Sequence, residues 1–232
     1  MKKYLPVVLL LVGIGVFVAV YFLVIKKPVR APAGETSSQI EVSLEDRPVV
    51  SLTPSADGHW LKLSIEKIKI DAESLDYELL YDLPDGRTQG VPGTVALAGQ
   101  SRIERDLLMG SESSGKFRYD EGVEEGDLTI RFRNDKGKLL VKFATKFHLQ
   151  SGSKNLTSVD TKFSYTFDKR PGKAFFVTME TFGLPAQAGV PEGLVSSITS
   201  AGPYGIFTSD ASLPSGSADG WQKANGSNIF YK

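Results

Sequence analysis

The segment Leu128–Leu149, LTIRFRNDKGKLLVKFATKFHL, decides how the rest of the chain is read. Leu128, Ile130 and Phe132 alternate with Thr129, Arg131 and Arg133, and Leu139, Val141 and Phe143 return after Asn134-Asp135-Lys136-Gly137. An apolar period of two puts one side-chain set on one face of an extended strand. The intervening residues supply turn chemistry, with Gly137 free to take the positive φ that a tight reversal demands. The pattern predicts an antiparallel hairpin whose second strand continues to Phe147 and Leu149.

The same period recurs on both sides. Leu75, Tyr77, Leu79, Tyr81 and Leu83 form an alternating run closed by Pro84-Asp85-Gly86, and Phe163, Tyr165 and Phe167 form another. Ala174 to Phe182 is a more apolar strand, and Ile206-Phe207 and Ile229 to Tyr231 are short closing ones. Upstream, Ile40, Val42 and Leu44 alternate, as do Leu61, Leu63 and Ile65 before the phase slips to Ile68 and Ile70, the mark of a bulge or bend. Two helical signals stand against this background. Ser101-Arg102-Ile103-Glu104 is a capping box followed by Leu107, Leu108 and a stop at Gly110, and Pro191 with Gly202 brackets Leu194, Val195 and Ile198. The expected fold is mainly β, an antiparallel β-sandwich of immunoglobulin-like type on the C-terminal side of a single N-terminal transmembrane helix.

That helix is the run Tyr4–Ile25, 22 residues without a charge, flanked by Lys2 and Lys3 before it and by Lys26, Lys27 and Arg30 after it. As a helix it spans about 33 Å, matching a hydrocarbon core of about 30 Å. Ala31-Pro32-Ala33 resembles a signal-peptidase site, but the apolar run exceeds a signal h-region and a basic cluster separates the two, so an uncleaved anchor is expected. The division is a cytoplasmic stub and anchor over residues 1–30, a linker over 31–38, and an extracytoplasmic β-rich domain over 39–232, with a sub-boundary near 151–158. Flanking bases nearly tie under the positive-inside rule, and the slightly acidic, cysteine-free remainder favours export. The expectation is a single-pass cell-membrane protein with a cytoplasmic N-terminus, its partners being the bilayer through residues 4–25 and a protein or envelope component.

Composition narrows the chemistry. The 232 residues balance 27 bases against 27 acids and contain two His and no Cys, which excludes thiolate nucleophiles, disulfides, Fe–S clusters and Cys-based zinc sites. The acidic exported part has no basic stripe, so nucleic acid is not an expected partner. Gly110-Ser111-Glu112-Ser113-Ser114-Gly115-Lys116-Phe117 approaches a phosphate-binding loop, but Phe117 replaces the hydroxyl that would hold magnesium and Glu112 would repel phosphate. Asp120, Glu121, Glu124, Glu125 and Asp127 offer oxygens for a hard cation without the spacing of a calcium loop, which reads as a solvated acidic loop. His59 and His148 have no Ser on a nucleophile elbow, because G-x-S-x-G does not occur. The aromatic residues, falling on alternating positions, read as core, with Trp221 the better candidate for an exposed contact. No catalytic residue, cofactor or metal is assigned. The expected function is a non-catalytic binding, structural or surface-assembly module. The alternatives are an exported hydrolase acting on envelope glycan or peptide, and a bitopic subunit of a secretion or pilus assembly.

Overall fold

A computed structural model describes residues 41–186, 189, 202–210 and 212–232. The expected anchor with its flanking bases, the linker, Ile40 and the interior of the helix expected between Pro191 and Gly202 lie outside those residues. Among the described residues no helix is long and apolar enough to cross a membrane. Residues Ser38–Lys232 form one compact unit.

The described chain is mainly β, its strands paired antiparallel throughout. In order they are β1 (Val49–Pro54), β2 (Trp60–Glu66), β3 (Ser74–Asp82), β4 (Thr88–Ala96), β5 (Ile103–Leu108), β6 (Gly110–Ser113), β7 (Lys116–Tyr119) and β8 (Glu125–Arg133). There follow β9 (Leu139–Ser151), β10 (Asn155–Thr157), β11 (Ser164–Phe167), β12 (Phe175–Glu180), β13 (Tyr204–Phe207), β14 (Gly216–Ser217), β15 (Gln222–Lys223) and β16 (Ile229–Tyr231). A long sheet runs β15-β16-β13-β12-β9-β8-β3-β4; β1-β2-β5 and β10-β11-β14 make two smaller sheets, and β6-β7 a separate hairpin.

The hairpin expected from Leu128–Leu149 is β8 and β9, with Ile130 opposite Phe143 and Phe132 opposite Val141. At its turn the Gly137 amide donates to the Asn134 carbonyl at 2.9 Å, and the Asn134 side chain accepts from the amides of Lys136 and Lys138. Alternation then determines the layers. Leu75 and Leu79 of β3, Leu128, Ile130 and Phe132 of β8, Phe147 and Leu149 of β9, and Val177 and Met179 of β12 share one core with Leu52, Leu61, Leu63, Ile65, Ile103 and Leu107 of the β1-β2-β5 sheet. Residues one step out of phase, Phe176 of β12 with Tyr204, Ile206 and Phe230, face the other way and form a second core with Leu156, Phe163, Tyr165 and Phe167. The large sheet is therefore covered on one face by β1-β2-β5 and, along β12-β13-β16, on the opposite face by β10-β11-β14. The stretch 150–158 supplies the end of β9 and the whole of β10.

Two expectations need correction. The capping box Ser101–Glu104 opens no helix; Ile103–Leu108 is β5, paired with β2 from Ile65↔Ile103 to Trp60↔Leu108. Ile103 and Leu107, the buried pair, are four apart, a spacing that shares a face in a helix and in a strand alike. Six backbone pairings with β2 decide between them. The alternation of Val42 and Leu44 likewise makes no strand: both lie in irregular or turn structure ahead of β1. The phase slip after Ile65 is, as expected, a bend between sheets: β2 ends, Lys67 takes a φ of 55°, and Ile68 and Ile70 pack beside the main core on the way to β3 in the large sheet.

The strand at one edge of the large sheet, β4, contains Pro92. Hydrogen bonds from Leu83 to Arg87 and from Leu97 to Glu73 bracket its register, so the odd-numbered residues bond to β3. Pro92 therefore directs its missing donor away from the sheet, the position where a strand tolerates proline. It also interrupts the edge at the point where a foreign strand would pair.

On the face of β3 and β8 away from the main core, diagonal pairs replace apolar contacts. Arg133 Nε lies 2.6 Å from Asp76 Oδ2, Arg131 Nη2 lies 3.0 Å from Glu78 Oε2, and Thr94 Oγ1 donates to Asp76 Oδ1 at 2.8 Å. Burial opposes ionisation of Asp76, but these hydrogen bonds and the two guanidinium charges outweigh it and hold the carboxyl below its ordinary value. A depressed carboxylate stabilises the fold above the unfolded value of about 3.9, and that contribution is withdrawn as the pH falls through the lower folded value. Asp76→Asn is expected to lose about 1–2 kcal/mol at neutral pH. The deficit should narrow as the pH falls below about 4, read as urea midpoints for both proteins across that range. A deficit that does not change with pH would assign the loss to shape instead of charge.

Candidate functional site

Both histidines of the chain line one cleft of about 440 Å³. Its walls are the β1–β2 turn at Asp57, Gly58 and His59, the segment Asp120–Glu124 between β7 and β8, the end of β9 from His148 to Ser151, Ser153 and Phe175.

Each wall is held by identifiable bonds. In the turn, Asp57 Oδ1 accepts from the Ser55 hydroxyl at 2.5 Å and from the His59 amide at 3.2 Å, and these bonds keep the Asp57 carboxyl below its ordinary pKa. Met109, between β5 and β6, donates its amide to the His59 carbonyl, while its own carbonyl accepts from the Asp120 amide. An extended residue directs its N–H and C=O to the same side. The end of β7 consequently abuts the start of β2, and the Tyr119 ring stacks on His59 with centroids 4.3 Å apart and planes 11° apart. His59 Nε2 lies 3.8 Å from Glu121 Oε1. Asp120 accepts from the Tyr81 hydroxyl at 2.9 Å, and burial, reinforced by that carboxylate, pushes the Tyr81 pKa well up.

His148 is pinned from beneath. Its Nδ1 lies 2.8 Å from the Thr157 carbonyl, which also accepts from Gln150 Nε2 at 3.1 Å and Thr178 Oγ1 at 2.7 Å. A carbonyl only accepts, so Nδ1 carries the hydrogen and Nε2 of the neutral ring is an acceptor. The two serines of the cleft are engaged elsewhere: Ser151 donates to the Lys173 carbonyl at 3.0 Å and Ser153 to the Asn155 carbonyl at 2.6 Å. Among the described residues neither His is hydrogen-bonded to a serine; the hydroxyl nearest His148 is that of Thr157, 3.5 Å from Nδ1.

The structure divides the acidic run. Asp120, Glu121 and Glu124 line the cleft, whereas Glu125 and Asp127 belong to β8, opposite His148 and Lys146 respectively. Asp127 Oδ1 approaches Lys146 Nζ to 3.9 Å. Among the described residues no three His, Asp or Glu side chains gather as a cation would require. The sequence that approaches a phosphate-binding loop is the β6–β7 hairpin, with Ser113 opposite Lys116 and both turn residues, Ser114 and Gly115, at positive φ. A strand follows the lysine, where phosphate binding needs a helix N-terminus.

Reading the Phe and Tyr residues as core misses the rim of the cleft. Phe117 is 45% and Tyr119 38% exposed, with rings 5° from parallel and centroids 6.2 Å apart, and Trp60 meets Phe117 edge-on at 5.7 Å. The strand Lys116–Tyr119 is not among those expected from sequence, and a two-stranded hairpin has no second layer of its own to cover its rings. Trp221, the candidate for exposure, packs edge-on against Phe163 and Tyr204 in the second core. Asp57 joins the site only through folding. Comparison with known proteins finds no matching family model, no matching curated protein and no matching solved structure.

Proposed function

We propose that the protein is a non-catalytic binding module tethered to the cell membrane by residues 4–25, with its N-terminus in the cytoplasm and residues 39–232 outside. The ligand-binding surface is the cleft of His59 and His148 together with its aromatic rim. One observation carries this reading: large apolar rings stand exposed beside a polar cleft whose serines are bonded to main chain, an arrangement suited to contact and not to bond cleavage. A β-sandwich is the finer reading of the fold, supported by the core shared between β1-β2-β5 and the large sheet; an immunoglobulin-like arrangement would have to accommodate eight strands in one sheet.

The absence of cysteine makes the test clean. Leu80→Cys on the outer face of β3 and Glu121→Cys at the cleft are each exposed to a membrane-impermeant maleimide in intact cells and again as purified full chain. Leu80 is 37% exposed and the Glu121 side chain 82% exposed. The expected result is equal labelling at position 80 in both settings, but slower labelling at 121 in cells, where ligand covers it. No labelling of either without permeabilisation overturns the orientation, and equal rates at both positions overturn the assignment of the cleft.

A second reading, an exported hydrolase, draws on one specific feature: His148 Nε2 is an acceptor in a cleft that also contains carboxylates. It requires turnover of an envelope glycan or peptide that His148→Ala abolishes.

A further inference from the structure

The rim and the cleft have one charge character. Phe117 is paired across the hairpin with Glu112, and Tyr119 with Gly110, so the side-chain face that presents the rings also presents an acid. The basic residues of the same strand, Lys116 and Arg118, alternate onto the opposite face. Among the described residues the adjoining cleft is lined by Asp57, Asp120, Glu121 and Glu124 together with His59 and His148, and by no Lys or Arg. Tyr119 gives one face to His59, but both rings keep exposed surface beside carboxylates that no Lys or Arg of the cleft neutralises among the described residues, and such a surface attracts cations both through the negative face of a ring and through direct charge pairing. A neutral sugar would use the rings and leave the acids without ion partners; an anionic lipid surface or nucleic acid would be repelled.

We infer that the exposed face of the β6–β7 hairpin and the cleft beside it form a docking surface for a basic polypeptide segment, whose Lys or Arg side chains lie against Phe117 and Tyr119 and pair with Glu112, Glu121 and Asp57. The inference rests on the binding reading above and adds the ligand class. The surface takes an extended segment, because the rings follow one another along a strand and lead directly into the cleft. Arg is the better fit at the rings, since its planar guanidinium stacks on an aromatic face while its edge bonds a carboxylate.

The test uses the full chain in a non-ionic detergent with three defined probes: a fluorescent decapeptide rich in Lys and Arg, the same peptide with Glu at each basic position, and chitotetraose as a neutral glycan. The basic peptide alone should bind, more weakly as salt rises. Phe117→Ala and Tyr119→Ala, at exposed positions, should each weaken it about three- to tenfold. The triple variant Asp57→Asn, Glu112→Gln, Glu121→Gln keeps side-chain shape and hydrogen-bonding oxygens, and should weaken it at least about tenfold with a shallower salt dependence. Glu45→Gln, Asp71→Asn, Glu73→Gln removes the same formal charge elsewhere and should leave affinity unchanged. Equal losses from the two triples overturn the site, because attraction would then follow net charge alone. Glycan binding that depends on the rings overturns the ligand class while the binding reading stands. Cleavage of the peptide by the chain overturns the binding reading itself. Failure of the basic peptide to bind overturns the inference, and the maleimide experiment then judges the binding reading separately.

Discussion

Phe163→Ala should lower the stability of the whole body by about 3–5 kcal/mol, the cost of a large cavity where a fully buried ring is removed. The Phe163 ring has no solvent exposure and touches three others, stacking on Tyr204 at 5.5 Å and meeting Trp221 at 5.2 Å and Phe230 at 5.4 Å. The more informative part of the result is its spread. β12 carries Phe176 into the second core and Val177 into the first, so the two cores share backbone hydrogen bonds and neither can melt without unpairing the same strands. Two tryptophans report on the two sides: Trp60 lies in β2 beside the main core, and Trp221 packs in the second. With Trp221→Phe leaving the first reporter and Trp60→Phe the second, urea transitions of Phe163→Ala should coincide. The same loss is expected for Phe147→Ala in the main core. An earlier transition at Trp221 than at Trp60 would mean that the C-terminal third folds as a separate unit.

That coupling explains which parts of the molecule were legible in sequence. Strands with one buried face announce themselves through period two, and Leu75–Leu83, Leu128–Phe132, Leu139–Leu149 and Phe163–Phe167 were all readable on that ground. Edge strands are less so. Thr88–Ala96 holds Pro92 and two glycines and has mostly exposed or half-buried side chains, so neither propensity nor alternation marks it. Val49–Pro54 does alternate, with Val50 and Leu52 buried against half-buried Ser51 and Thr53, but the run is short and ends in proline, so its signal is weak. The capping box at Ser101 satisfied every local rule for a helix and lost to pairing with β2, a contact between residues some forty positions apart. The cleft was invisible for the same reason. His59 and His148 were recognised singly, but their meeting depends on the register of β5 against β2 and of β9 against β8, and registers are not written in either segment alone.

Gly126→Ala is the second substitution expected to have a large effect, and it acts in β8 two residues beyond the cleft wall at Glu124. Gly126 is an ordinary strand position in β8, opposite Tyr81 on one side and Phe147 on the other. A Cβ there would come within 2.2 Å of the Leu80 carbonyl oxygen and 2.4 Å of the Phe147 ring. A flexible side chain could move aside; a main-chain carbonyl inside a paired sheet cannot do so without parting β3 from β8. The expected cost is about 3 kcal/mol, at the upper end for overpacking. Gly137→Ala is the contrast: its φ of 72° strains an alanine, but nothing lies within 4 Å, so only about 1 kcal/mol is at stake. The damage at Gly126 is also directed. Its neighbour Glu125 is opposite His148, and the Leu149 amide donates to the Glu124 carbonyl at 2.6 Å, so a shift of β8 against β9 pulls apart two walls of the cleft. Amide exchange at Leu149 should therefore accelerate in Gly126→Ala by more than its loss of global stability explains, while in Gly137→Ala it should follow global stability alone. Equal acceleration in the two variants would show that the cleft is held independently of the β8–β9 register.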